Sequence, residues 1–405
     1  MATEHSISPA TSSDVEHRQG LRACLTRSLG VPFVEGNRIE PLRNGVEIFP
    51  AMLDAIDNAE RSIEFETFVY WSGDVARRFA EALSRASERG VEVRVLLDAA
   101  GSVPMPDEIW TIFEEGGIEA RKFGSLKSWR VWQMDHRTHR KILVCDGHVA
   151  FTGGVGIARE WEGNARNPEE WRETHFRIRG PSVALLRGAF LEHWLAAKGG
   201  GPHPALLPEA VPAPEDRPAA GGVGIQTVTS IGAGRWSSAQ TLFRALALSA
   251  RESIKITTAY FVPEDELVTL LVDAAGRGVE VDIIHPGPHT DHRVSNLAGE
   301  ERYPELLEAG VRIWRYQKTM IHAKIILIDG VFSCIGSANL NHRSAVKDDE
   351  VSLLIDDPGL AHQLGEDFSA DLDDCARVEP GGSRVESSWW RRGLSKLARL
   401  IDSQV

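Results

Sequence analysis

The 405-residue sequence predicts an α/β protein of two pseudo-symmetric domains, each a mostly parallel sheet flanked by helices, with an active site at their interface. Three observations predict it. One motif is written twice. The first copy is His139-Arg-Lys141, an apolar run, Asp146-Gly147, then a second apolar run ending in Gly153-Gly154. The second runs from His322-Ala-Lys324 through Asp329-Gly330 to Gly336-Ser337 and Asn339. The pentapeptide Arg-Gly-Val-Glu-Val also recurs, at 89–93 and 277–281. Ahead of each motif, short β-branched runs alternate with stretches of helical length, the pattern of βαβ units.

In chain order, residues 1–20 are polar and Ser/Thr-rich and are expected to be disordered. A strand-like entry at Asn37 leads to an amphipathic helix over 49–59, a strand over 62–70, a helix over 75–89 and a buried strand over 91–97. The second half replays the order: 245–250 leads into a strand at 253–261, a helix at 263–277 and a strand at 279–284. Gly117-Ile-Glu and Gly310-Val-Arg match at the next corner. Between the halves, 198–222 is dense in Gly, Pro and Ala and reads as a linker. The division is then a tail at 1–35, a first domain at 36–197, the linker, a second domain at 223–375 and a basic amphipathic tail at 376–405.

Each motif copy reads as a β-hairpin. Asp-Gly between two apolar runs marks a tight turn, because Gly accepts the positive φ it requires. Residues two apart on a strand share a face, so each His lies beside its Lys. Imidazole can attack phosphorus or move a proton near neutral pH, and an ammonium is a compact charge for phosphate oxygens. Two such pairs facing each other would supply a nucleophile, an acid and a charge clamp, a site for phosphoryl transfer without a metal or cofactor. A lone strand His is more often structural, but that reading must explain the same spacing twice.

Composition narrows the partners. A formal net charge of −13 argues against a general nucleic-acid binder, which must neutralise phosphates. The four cysteines, Cys24, Cys145, Cys334 and Cys375, show neither metal-like nor disulfide-like spacing. They are expected to be reduced, as suits a cytoplasmic protein. The first residues lack a basic region followed by an apolar stretch, so no targeting segment is expected. The most apolar window, 183–197, is broken by Arg187, Glu192 and His193, so no membrane span is expected.

The repeated pattern resembles the phospholipase D superfamily. Glu-Thr-Phe-Val-Tyr (66–70), Trp-Arg-Glu-Thr-His (171–175), Tyr-Phe-Val-Pro (260–263) and Gly-Ser-Ala-Asn-Leu-Asn-His-Arg-Ser (336–344) resemble its bacterial cardiolipin synthase branch. The likeness runs from about Asn37 to about Asp356. It implies two phospholipase D-like domains and a two-step phosphatidyl transfer. His139 would be the nucleophile, His322 the general acid and then base, and Lys141, Lys324 and Asn339 would stabilise five-coordinate phosphorus. It also implies a carboxylate behind each His, fixing its tautomer: Glu350 for His322 and Glu173 for His139.

Asp146 and Asp329 complete the motif but sit at the turns, and read as structural. Gly153, Gly154, Ser337 and Asn339 would lie close to phosphate oxygens, with Glu66, His136 and His175 bordering the pocket. Where the second copy has Asn339 the first has Gly156, so the halves are not equivalent. His285, His289 and His292 could suggest zinc, but no matching second cluster joins them, and no metal is expected.

From Gly117 to His139 is 22 positions, against 12 from Gly310 to His322. The extra stretch holds Trp129, Arg130 and Trp132, and reads equally as a lipid-touching loop or a lid burying its tryptophans. The tail around Trp389, Trp390, Arg391, Arg392, Lys396 and Arg399 describes an interfacial helix drawn to anionic lipid, against the alternative of a helix docked on the protein itself.

The leading expectation is therefore a cardiolipin synthase-like phosphatidyltransferase joining two phosphatidylglycerols with release of glycerol. It would sit peripherally on the inner face of the cell membrane, with anionic phospholipids and the membrane surface as partners. A phospholipase D using water shares the first step. A nuclease of the same superfamily fits the acidic balance poorly. A non-catalytic lipid-binding scaffold has only Gly156 in its favour.

Overall fold

The computed structural model describes residues 12–124, 136–197, 219–232, 237–291 and 298–380. The first half comprises α1 (Ser12–Leu29), β1 (Val34–Arg43), α2 (Asn44–Asp57), β2 (Ser62–Thr67), α3 (Asp74–Glu88), β3 (Glu92–Asp98) and α4 (Asp107–Glu115). It continues through β4 (Glu119–Phe123), β5 (Arg137–Thr138), β6 (Ile142–Cys145), β7 (Val149–Gly153), β8 (Thr174–Arg179) and α5 (Val183–Ala196). The second half holds β9 (Val223–Ser230), α6 (Ser238–Ser249), β10 (Ser253–Thr257), α7 (Asp265–Gly276), β11 (Glu280–Pro286), α8 (Tyr303–Glu308) and β12 (Arg312–Tyr316). It ends with β13 (Ile325–Ile328), β14 (Phe332–Gly336), α9 (His342–Val346), β15 (Asp348–Asp356), α10 (Pro358–Asp373) and β16 (Cys375–Arg377).

One sheet carries both halves. Its order is β16-β12-β11-β10-β13-β14-β15-β9-β1-β8-β7-β6-β2-β3-β4. Read outward from the β9·β1 pair, the halves follow the same sequence of strands, so the repeat is a duplication of topology as well as of motif. The expected mostly parallel sheet is corrected. In the first half only β2·β3 and β3·β4 are parallel, while β2·β6, β6·β7, β7·β8 and β8·β1 are antiparallel. Helical crossovers α3 and α4 make β2, β3 and β4 parallel, whereas the two-residue turn between β6 and β7 makes that pair antiparallel.

The turns are those that Asp-Gly favours. Asp146 and Gly147 have φ of 54° and 64°, Asp329 and Gly330 of 52° and 63°, the doubly positive geometry of a type I′ turn. The two Asp carboxylates also anchor the neighbouring chain. Asp146 accepts from the backbone N–H of Glu60, Arg61 and Ser62, and Asp329 from Arg251, Glu252 and Ser253. Each thus ties its hairpin to the start of the adjacent antiparallel strand, β2 or β10.

Packing joins the halves rather than separating them. In α3, Val75, Ala76, Phe79, Ala80, Leu83 and Ala86 are buried at helical spacing against the outer face of the first half. A central cluster draws on both: Ile142, Val144, Phe176 and Leu186 meet Ile325, Leu353 and Leu360. Each fully buried side chain of this kind stabilises by about 1.5–3 kcal/mol, so this shared core locks the two motifs in register.

One segment differs from expectation. Residues 12–20, expected to be disordered, belong to α1, whose Leu21 and Leu25 enter the core of the second half. Its Arg18 and Arg22 pair with Asp356, and His17 Nε2 lies 2.6 Å from Asp329 Oδ2. A polar N-terminal run thus folds because a few apolar and basic positions find a partner far along the chain. The aromatic-basic stretch at 125–134, most of the linker, His292 and the C-terminal tail beyond 380 lie outside the described residues.

Candidate active site

Each motif His leaves its hairpin entry pressed against a strand of the other half. The His139 backbone N–H donates to Asp349 O at 2.9 Å, and β5 pairs in parallel with β15. The His322 N–H donates to Arg172 O at 2.8 Å, and Arg172 bridges to Ile321. These crossings decide the carboxylate partners. His139 Nδ1 lies 2.9 Å from Glu350 Oε1, and His322 Nδ1 lies 2.8 Å from Glu173 Oε2. The expected pairing within each half is therefore overturned. Proximity along the chain suggested it, but the pseudo-twofold arrangement brings each imidazole to the carboxylate of the opposite half.

The lysines share the faces of their histidines. Lys141 Nζ donates to His139 O at 2.8 Å, and Lys324 Nζ to His322 O at 2.6 Å. All four side chains are buried, and burial disfavours charge on each. It pushes the Lys141 ammonium down to about 8 and Lys324 to about 7, against the pull of the nearby carboxylates. Burial also lowers His139 to about 4 despite Glu350, and drives His322 well below the usual imidazole range with help from Lys324 and Lys141. Burial thus partly suppresses the two ammonium charges, and an anionic phosphodiester beside them would restore them.

The two dyads differ in what surrounds the carboxylate. Burial would raise the Glu350 carboxyl, but His139, Lys141 and the Ser337 hydroxyl outweigh it and hold it below the usual range. Ser344 Oγ donates to Glu350 Oε1 at 2.6 Å, and Ser337 Oγ to Oε2. Among the described residues, Glu173 receives only the Thr174 N–H at 2.9 Å beside His322. Burial raises it to about 7 even with Lys324 and Arg172 nearby. Aromatic rings flank that side: Trp161 and Trp171 lie 5.2 and 5.5 Å from the His322 ring, and Tyr260 6.4 Å. On the other side Phe68 meets His139 edge-on at 5.2 Å.

The remaining expected residues fall as follows. Asn339 is buried, its N–H donates to Ser344 Oγ, and its Oδ1 has no partner among the described residues. Gly154 packs on the Glu173 carboxylate, and Gly153 on His175. A side chain at Gly156 would meet Val69 and Trp161 at 2.8 and 3.0 Å, so the residue facing Asn339 across the repeat is small because Trp161 fills its space. Glu66, expected to touch substrate, is fully buried and accepts from the Thr138 hydroxyl while meeting His193 Nδ1 at 2.5 Å. Its strand points it beneath the site, so it supports the residue before His139 instead. His136 pairs with Asp349 at 2.7 Å. His285 packs by Phe261 and Tyr303, with Nε2 2.7 Å from the Tyr303 hydroxyl.

Sequence reasoning missed Ser344, Trp161, Asp349 and His193. The duplication held a signal for the first two: both stand 22 residues after their motif His (139 to 161, 322 to 344), a Trp in one copy and a Ser in the other.

Comparison with known proteins identifies a family. Residues 52–183 and 243–372 match the family described as cardiolipin synthase, PLD-like domain. The chain is 32% identical over 392 residues to cardiolipin synthase A of Pseudomonas putida strain GB-1, covering 96% of this chain and 80% of that one. It is 31% identical over 377 residues to cardiolipin synthase 1 of Bacillus anthracis, covering 92% and 73%. Among solved structures, the phosphatidylserine synthase of Haemophilus influenzae Rd KW20 superposes with a TM-score of 0.72 over 95% of this chain and 100% of that one. At 16% identity this is a likeness of fold.

Proposed function

The chain belongs to the cardiolipin synthase, phospholipase D-like family, and we propose that it transfers a phosphatidyl group between alcohols, making cardiolipin from two phosphatidylglycerols. The observation that carries this reading is the crossed pair of dyads, His139 with Glu350 and His322 with Glu173, each beside a buried lysine.

The chemistry follows from the asymmetry. A nucleophilic imidazole becomes cationic when it bonds to phosphorus, so it needs a carboxylate that stays ionised behind it. Glu350, low in pKa and held by two hydroxyls, meets that need for His139. The acid–base partner must hold and return a proton near neutral pH. Glu173, raised to about 7 beside His322, suits that role. In the first step His139 Nε2 forms a P–N bond, the P–O bond to glycerol breaks, and His322 gives its proton to the leaving oxygen. In the second, His322 takes the proton of the acceptor hydroxyl, the new P–O bond forms, the P–N bond breaks and His139 is regenerated. Lys141, Lys324 and the Asn339 amide would stabilise the phosphoryl oxygens throughout.

Both substrates are lipids in this reading, so the protein works at an anionic membrane surface. Among the described residues no helix is long and apolar enough to cross a membrane. The attachment in this reading is peripheral, at the inner face of the cell membrane, with the Trp/Arg-rich stretch at 389–401 as its contact. Removal of 387–405 should then weaken binding to anionic vesicles.

The deciding experiment is incubation of purified protein with phosphatidylglycerol vesicles, with lipids resolved by mass spectrometry. Cardiolipin with free glycerol is expected. Phosphatidic acid alone would make water the acceptor and the protein a hydrolase. No turnover would overturn the choice of donor.

A further inference from the structure

Beneath the His139 dyad runs a buried chain of ionisable groups that the transfer chemistry does not use. His193 on α5 stands between two carboxylates. Its Nδ1 is 2.5 Å from Glu66 Oε1 on β2, and its Nε2 is 3.0 Å from Asp349 Oδ2 on β15, the latter an ion pair with its N–H off the line of contact. His193, Glu66 and Asp349 are all buried. Asp349 Oδ1 takes up His136 Nε2 at 2.7 Å and the Gly232 N–H at 2.7 Å. Glu66 Oε1 also accepts from Thr138, the residue just before His139.

Asp349 precedes Glu350 on the strand, and its carbonyl accepts the His139 N–H. Alternation along β15 sends the Asp349 side chain down to His193 while Glu350 points up at His139. A clamp on Asp349 therefore sets the height and register of the carboxylate that orients the nucleophile. The other half solves the same problem with different chemistry. There the residue before Glu173 is Arg172, whose carbonyl accepts the His322 N–H. Its guanidinium makes a two-pronged pair with Asp371 on α10, at 2.9 and 3.1 Å. In each half an opposite-charge pair crosses from the residue before the dyad's glutamate to a helix of the opposite half. One pair is permanently charged. The other depends on an imidazole.

We propose that His193 is a positioning residue of the first dyad: as an imidazolium bridging Glu66 and Asp349, it holds Glu350 in register behind His139. The proposal rests on the transfer chemistry above for its catalytic readout, but not for its structural one.

The groups facing His193 are Glu66, Asp349 and Arg140, with His136 on the far side of Asp349 and the Phe123 ring 4.6 Å away. Arg140 opposes charge on the imidazole but is itself paired with Glu192. Burial also opposes it, yet Glu66 and Asp349 prevail and raise His193 to about 9. Burial would raise Asp349, and its contacts with His136 and His193 hold it far below the carboxylate range instead. Since the folded value lies above the ordinary imidazole value, the clamp is complete at neutral pH and is lost as pH rises through about 9.

The test uses the full-length protein and the variants His193→Gln and His193→Gln/Asp349→Asn. Glutamine leaves two buried carboxylates without a cation; the second change removes one of those charges and restores a neutral hydrogen-bonding pair. In wild type, nitrogen-15 NMR of the imidazoles should show His193 charged at pH 8 and His139 in a single Nδ1–H tautomer. His193→Gln should turn His139 into a tautomer mixture and lower kcat for lipid exchange by about 10- to 100-fold, as for other groups that orient a catalytic imidazole, with KM changed less than about twofold. The double variant should recover the single tautomer and most of kcat. A neutral His193 at pH 7, or an unchanged His139 tautomer in His193→Gln, would overturn the proposal. If wild type turns over no phospholipid, the functional reading fails, while the NMR comparison still decides the clamp.

Discussion

Gly154 and Ser337 stand at the same place in the two halves, each 15 residues after its motif His (139 to 154, 322 to 337), and they treat the neighbouring carboxylate in opposite ways. Ser337 gives its hydroxyl to Glu350. A Cβ at 154 would lie 2.4 Å from Glu173 Oε2, too close for any side chain. With Trp161 in place of Ser344 as well, the first copy leaves its carboxylate in an apolar setting, while the second surrounds its own with donors. Equal motifs therefore yield two carboxyls that titrate apart.

Gly154→Ala should push the Glu173 carboxylate off His322. Overpacking of this kind costs about 1–3 kcal/mol, visible in urea unfolding, and the displaced dyad should lower kcat further than the stability change accounts for. Wild-type activity would mean that Glu173 has room to move.

Ser344→Ala and Ser337→Ala each remove a hydroxyl from an ionised, buried carboxylate, a loss of about 1.5–3 kcal/mol per hydrogen bond to a charged group. The Glu350 pKa should rise, moving the acid limb of the kcat/KM profile upward. The same substitutions should leave the alkaline limb unmoved.

An activated p-nitrophenyl phosphodiester leaves without acid help, so it separates the roles of the dyads. Glu173→Gln should still release a stoichiometric burst of p-nitrophenol, with slow turnover after it. Glu350→Gln should lose the burst rate by about 10²–10⁴-fold, the usual weight of acid–base and orienting groups. The opposite pattern would exchange the roles of His139 and His322.

Anion affinity should fall with rising pH. Lys324 and Lys141 titrate near 7 and 8 because burial weakens their charged forms, so both are cationic at pH 6 and both are mostly neutral by pH 9. Inorganic phosphate as a competitive inhibitor should bind progressively more weakly over that interval. Calorimetry in buffers of different ionisation enthalpy should show proton uptake on binding at pH 8, because the anion draws the lysines back to their charged forms.

Much of this protein is legible in local sequence. Asp146-Gly147 and Asp329-Gly330 encode a turn whose φ values few dipeptides supply so cheaply, so both hairpins, and the shared face of each His and Lys, follow from spacing alone. Helix α3 follows from its apolar stripe. The site was harder to read where contact is remote. Glu66 carries no local mark that would send it toward His193 and Thr138 rather than toward substrate, and Asp349 none that would pair it with a helix more than 150 residues earlier.

By itself, then, the sequence determined the duplication, the chemistry of the two His–Lys pairs and the carboxylates available to serve them. Only the tertiary structure decided which carboxylate serves which histidine, and that α1 closes over the second half. The reason is physical. Turns and periodicity are set by φ/ψ preferences and neighbours within a few residues, whereas a dyad is set by which strands lie side by side. In this fold the shared core of Ile142, Phe176, Ile325 and Leu353 brings each histidine to the opposite half.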